Sequence, residues 1–264
     1  MTPETIEDIN KWVDKSLQRN RNEFPFRLTE DAERQCLILS IHTQNSETLE
    51  SAALLAQYSK AGDVARLSRA VFESVLNMGL LLSMPSAEAT DRYVKYSSIE
   101  TMKAFRHMLA IESDVANAIY KPEQLTEHES NEIEYVSKYG KPKTNWAGMN
   151  TIDICKKLDK IYPPVIKTDH FFEFIYCQAY RYGSSAVHGS HLGINRNLKV
   201  TASTIINGNT VYQSEPREES LIFNYFHCLI SYLLSLRVLG KTFNRLSLEQ
   251  YFQESVGQLI AGYA

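Results

Sequence analysis

Apolar positions recur along this chain at intervals of three and four residues, the spacing of helices that each bury one face. Ile6, Ile9, Val13 and Leu17 set the first stripe. Before them, Thr2-Pro3-Glu4 supplies a hydroxyl N-cap, a first-turn proline and an acid at the positive end of the dipole. Pro25, inside RNRNEFPFR, breaks this helix. A second tract begins near Thr29 with Glu30 and Asp31, and carries Leu37, Ile38 and Ile41. It crosses a polar middle (HTQNSE) and resumes through Leu49, Ala52, Ala53 and Ala56. The pattern permits either one helix here or two with a break near Ser46. Gly62 and Asp63 predict a tight turn, followed by the apolar helix ARLSRAVFESVLNMGLLLSM, which Pro85 stops. Ser86 with Glu88 starts a helix running through Met108 to Ile119. Residues 121–149 read as one short acidic helix and a loop ending at Trp146-Ala147-Gly148. Thr151 to Ile161 forms a short helix closed by Pro163-Pro164.

One stretch departs from the helical period. Leu198 to Ile206 is rich in β-branched residues, Asn207-Gly208-Asn209 follows, and Thr210 to Tyr212 resumes the pattern, a strong hairpin signal. Pro216, Glu218 and Glu219 then open a very apolar helix over Leu221–Leu239, and Ser247 caps a last amphipathic one. No repeat, low-complexity tract or linker divides the chain. The expected fold is therefore all-α: one domain over residues 1–264, a multi-helix bundle with a small β-hairpin insertion near 198–213. The helix over 3–20 is expected at its periphery.

Composition narrows the function classes. A chain of 264 residues can bury a sizeable core. A net charge of −3 and a pI near 6.2 exclude a protein that coats nucleic acid or anionic membrane by bulk charge, and leave a local basic site open. Cys36, Cys155, Cys177 and Cys228 are scattered, as reduced thiols in a cytosol would be, with no disulfide or zinc spacing. The acidic N-terminus lacks a signal-peptide layout. Asn224, His227 and Arg237 interrupt the apolar run, which reads as a core helix too short and polar to cross a bilayer. The expectation is a cytoplasmic protein with no membrane partner. Leu239-Gly240-Lys241-Thr242 resembles the end of a P-loop, but Ser235 replaces its first glycine and a helix precedes it. G-x-G-x-x-G, H-E-x-x-H, E-x-x-H and G-x-S-x-G are absent. His42, His107, His128, His170 and His227 stand isolated, as surface or satisfied core histidines, so neither cofactor nor metal is expected.

The ingredients of a reaction gather in Tyr176–His191, YCQAYRYGSSAVHGSH. Arg181 and His188 lie seven residues apart, close to two helical turns, so both fall on one face. Tyr180, Ser184 and His188 form a second row at i, i+4, i+8, with Ser185 beside it. RNA carries its own nucleophile, the 2′-hydroxyl, so an enzyme that cleaves it need supply only proton transfer and charge stabilisation. His188 suits general acid or base work, and the planar fork of Arg181 suits a phosphate oxygen. Ser184 and Tyr180 would orient phosphate or imidazole, with no metal required. The same residues also support a structural reading. Arg181 would pair with Glu73 across a helix contact, or Arg69 and Glu73 would pair one turn apart, while His188 beside Gly189 would complement a helix C-terminus. The chain would then be a non-catalytic helical interaction or ligand-binding module whose Arg-Glu-His cluster is a structural polar network.

Two resemblances bear on this choice. Arg69-Ala-Val-Phe-Glu73, Trp146-Ala-Gly148, and Tyr180-Arg181 with Ser184 or Ser185 leading into Val187-His188-Gly189-Ser190 recur in that order over residues 35 to 240. This resembles a prokaryotic helical family catalogued as a domain of unknown function, which implies an all-helical fold and no established activity. Arg181, six intervening residues, then His188 is similar to the R-x(4–6)-H motif of HEPN-type nucleases, with Tyr182 where a polar residue often follows the arginine. That likeness implies metal-independent RNA cleavage by Arg181 and His188 at a site formed by two protomers, hence a homodimer. It also implies toxin or phage-defence biology with a partner or antitoxin protein. Arg196 and Lys199 are the nearby basic residues by sequence.

Overall fold

The computed structural model describes residues 5–142, 145–165, 168–181, 183–184, 188, 197–206 and 209–261. It is an all-α multi-helix bundle with one hairpin, divided into two compact units: residues 1–79 with 155–264, and residues 80–154.

In the first unit, α1 (Ile6–Glu23) starts at Thr5, whose hydroxyl accepts from the Asp8 backbone N–H at 3.2 Å. The start expected at Thr2-Pro3-Glu4 lies outside the described residues. Ile9, Val13 and Leu17 bury one face of α1. The polar middle of the second tract does not break it. α2 is one helix, Ala32–Gln57, because tertiary partners take up its polar groups. His42, fully buried, donates from Nε2 to Asn20 Oδ1 (3.0 Å) and meets Ser235 Oγ through Nδ1 (2.9 Å). Asn45 is buried against Met78. The turn placed at Gly62-Asp63 falls slightly earlier, at Ser59 (φ 55°), and both residues lie in the first turn of α3 (Ala61–Ser83).

The hairpin pairs β1 (Leu198–Ile206) with β2 (Asn209–Pro216), from Ile206 opposite Asn209 to Leu198 opposite Pro216, with a bulge between Val200 and Ala202. Its turn, Asn207-Gly208, lies outside the described residues. The last two helices are α9 (Glu218–Thr242) and α10 (Leu246–Ile260). α9 packs on α1, α2 and α10. At 25 residues it is long and apolar enough to cross a membrane, contrary to the expectation from sequence, yet 89% of its most apolar window is buried inside the protein. Arg237 explains how a core helix carries a cation. It is 1% exposed, between the rings of Tyr162 (5.1 Å) and Phe252 (4.9 Å), and donates through Nη2 to the Pro163 carbonyl (2.9 Å). Glu249 approaches its Nε to 3.8 Å. Ser247 does not cap α10. Its hydroxyl donates to Glu23, and Arg245 occupies the cap position.

In the second unit, the helix expected from Ser86 to Ile119 is two: α4 (Ser86–Ile111) and α5 (Ser113–Ile119), separated by extended backbone at Glu112. The short acidic helix expected after it is an 18-residue one, α6 (Pro122–Tyr139), ended by Gly140 at φ 77°. Trp146 is buried edge-on against Tyr93, and its carbonyl accepts from Tyr135 Oη at 2.6 Å. Asn145 Oδ1 accepts from the Ala147 and Met149 amides, and Gly148 sits at φ 69°. Trp146-Ala147-Gly148 is thus a pinned turn, with the glycine where a side chain would strain the backbone.

Candidate functional site

The site belongs to the first unit and is built on α7 (Thr151–Ile161), α3 and the helical run that starts with α8 (Phe171–Ile175). Phe171, Phe172 and Ile175 anchor that run in the core. The backbone N–H of Arg181 then bonds to the Tyr176 carbonyl five residues back, making Tyr176–Tyr180 a wide π turn. Helical geometry continues at Arg181, Gly183 and Ser184, and the His188 amide reaches the Ser184 carbonyl at 3.0 Å, an ordinary α step. Arg181 and His188 are exposed, while Tyr180 and Ser184 are half-buried. Ser185 and Arg196 lie outside the described residues. Lys199 is exposed on β1.

Three of the supporting residues, Arg69, Glu73 and Tyr180, are drawn together. Arg69 holds Glu73 within α3, with Nη2 3.0 Å and Nε 3.2 Å from one carboxylate oxygen. The intrahelical pairing of Arg69 with Glu73 that the sequence allowed is formed. The same guanidinium lies 4.6 Å over the Tyr180 ring and places Nη2 3.4 Å from its hydroxyl. Tyr180 in turn stacks on Tyr176, with ring centroids 5.1 Å apart at 22°. Burial pushes the Tyr176 phenol up, helped by Tyr180 and opposed by the charge of Arg181. Gly183 makes this approach possible: a Cβ there would lie 2.6 Å from the Ala65 carbonyl oxygen and 2.7 Å from Arg69 Cβ. Arg69, Glu73, Tyr180 and Tyr176 therefore form a cation–aromatic clamp between α3 and the π turn, and Arg181 follows it directly.

A second constellation was not read from the sequence. Asp159 of α7 accepts from the backbone amides of Phe172 (2.7 Å) and Glu173 (3.1 Å), fastening α7 to the start of α8. Half-burial raises its carboxyl, against the lowering effect of those two bonds. His170 Nδ1 meets Glu173 Oε1 at 3.0 Å, so His170 is not isolated. All three residues line a cleft of about 780 Å³, with Lys156, Lys160 and Tyr162. The signal was present as His170-Phe-Phe-Glu173, a histidine followed three residues later by glutamate. Asp159, eleven residues before the histidine, is joined to them only by the fold.

A helical protein with an aromatic clamp, an exposed arginine directly after it and an exposed histidine seven residues further on is the class these observations define. The chain belongs to a family of unknown function, DUF5677, whose model matches residues 35–204. That span contains Arg69, Glu73, Arg181 and His188. No curated protein matches it, and no solved structure matches it.

Proposed function

We propose that this protein is a HEPN-like, metal-independent endoribonuclease in which Arg181 and His188 act on the phosphodiester. The observation that carries the reading is the exposure of two reactive side chains on one anchored helical run. Arg69, Glu73 and Tyr180 anchor it, and Arg181 and His188 on it are both solvent-exposed. His188 takes the proton of the 2′-hydroxyl as that oxygen attacks phosphorus. The bond to the 5′-oxygen breaks, and the leaving oxygen receives a proton. Arg181 holds a non-bridging oxygen and stabilises its growing charge. Arg69, Glu73 and Tyr180 are positioning residues in this scheme, and Ser184, with Ser185 beside it, supports His188. A homodimer would complete the site in the cytoplasm, held silent by a partner or antitoxin protein in a toxin or phage-defence setting.

The second reading is a non-catalytic helical interaction or ligand-binding module. The observation that favours it is that the clamp accounts structurally for Arg69, Glu73 and Tyr180. Cleavage of a mixed RNA pool in EDTA separates the two, using wild type and the folded variants His188→Ala and Arg181→Ala. The nuclease reading expects wild-type cleavage and a loss on the order of 100-fold or more in each variant. Wild-type protein that cleaves nothing, or a folded variant that cleaves like wild type, supports the module instead.

A further inference from the structure

The cleft between α7 and the start of α8 has a donor set that the nuclease scheme does not use. One ligand atom each from Asp159, His170 and Glu173 lies within 4.8 Å of the other two. We propose that these three residues bind a single divalent transition-metal ion, zinc or manganese in chemical character, which clasps α7 to the start of α8.

The donor types select the class. An imidazole nitrogen with two carboxylate oxygens suits zinc or manganese, whereas magnesium and calcium favour oxygen alone. Metal–ligand bonds of about 2.0–2.2 Å place donor atoms roughly 3–3.5 Å apart, so the set must contract by about 1 Å. His170 can supply that movement, because its side chain is 74% exposed. The ion would replace its present contact with Glu173. Asp159 needs no movement to be oriented. Two backbone amides already fix its carboxylate, the outer-shell restraint typical of metal ligands, and about two of its roughly four lone-pair directions stay open. Capping of α8 explains Asp159, and the i,i+3 contact explains why His170 and Glu173 meet; neither explains why all three donors converge on one cleft.

Tyr162 also lines the cleft, but its buried hydroxyl lies in the field of Arg237 and Glu249, so the three donors alone define the site. Lys156 and Lys160 on the cleft wall would favour an anionic co-ligand.

The experiment is a titration of EDTA-stripped full-length protein with Co²⁺ as a spectroscopic probe, followed by its visible absorption and reversed by competing Zn²⁺. The expected result is one ion per chain, with affinity reduced at least tenfold in His170→Ala and in Glu173→Gln. His107→Ala, a change at an exposed histidine of the other unit, should bind like wild type. Circular dichroism of each stripped variant establishes that it is folded. No absorption change at one equivalent overturns the proposal. So does unchanged binding in both folded cleft variants, which would mark an adventitious ion only. Because RNA cleavage is not read, neither outcome bears on Arg181 and His188.

Discussion

His42 offers a quantitative test of how the core tolerates a titratable group. It is fully buried, and desolvation lowers its pKa from 6.5 to about 3. In the unfolded chain the imidazole recovers its ordinary value, so below pH 6.5 the unfolded state binds a proton that the folded state refuses. The stability contributed is present above pH 6.5 and lost as pH falls from there toward 3. One proton per chain corresponds to about 1.4 kcal/mol per pH unit, so lowering pH from 7 to 5 should cost about 2 kcal/mol through His42 alone. The replacement His42→Gln keeps a donor and an acceptor for Asn20 and Ser235 and removes the titration. Urea unfolding of both proteins at pH 7, 6 and 5 isolates the effect, because other titrating groups are common to both. Whatever the substitution costs at pH 7, the gap between the two proteins should narrow by about 2 kcal/mol at pH 5. A gap that stays constant over this range would refute the reasoning. So would an NMR signal of His42 that titrates near neutrality in the folded protein.

Three further outcomes are expected. Gly183→Ala should cost about 1–3 kcal/mol, since its methyl meets the Ala65 carbonyl and Arg69 Cβ; a thermal midpoint equal to wild type would disprove that close approach. Arg237→Ala should destabilise by roughly 3 kcal/mol, and Arg237→Met by clearly less, because the longer side chain refills the space between Tyr162 and Phe252; equal losses in urea denaturation would argue against a packing role. Of the four thiols, Cys36 and Cys177 are exposed and should react promptly with a thiol reagent. Cys155 and Cys228, whose pKa values burial pushes up, should react only on unfolding, and rapid modification of all four by mass spectrometry would contradict their burial.

What could be read from sequence followed local rules, and what could not was settled by distant contacts. α7 and the hairpin were legible because a proline pair and an Asn-Gly step punctuate them. The continuity of α2 was not, because its polar middle becomes helical through Asn20, Ser235 and Met78, which lie far away in the chain. The break at Glu112 carries no proline or glycine to announce it. At the site, the pairing of Arg69 with Glu73 followed from their one-turn spacing. The cation–aromatic contact with Tyr180 required α3 to meet a helix 111 residues later. Asp159 could not be attached to His170 until the fold joined α7 to α8. Gly183 was passed over because a glycine inside a helical pattern does not reveal what lies opposite it.

The π turn sets a constraint on length rather than on composition. Before it, Phe171, Phe172 and Ile175 fix the rotation of the helix by core packing; after it, Gly183 fixes the rotation again by fitting against Ala65 and Arg69. Each residue in a helix advances the side chains by about 100° and 1.5 Å. Deleting one residue between Tyr176 and Tyr180 would restore ordinary α bonding but turn one anchor out of its seat, and Arg181 with it. The segment can therefore exchange side chains more freely than it can change its count, and the direction in which Arg181 points is encoded by how many residues precede it.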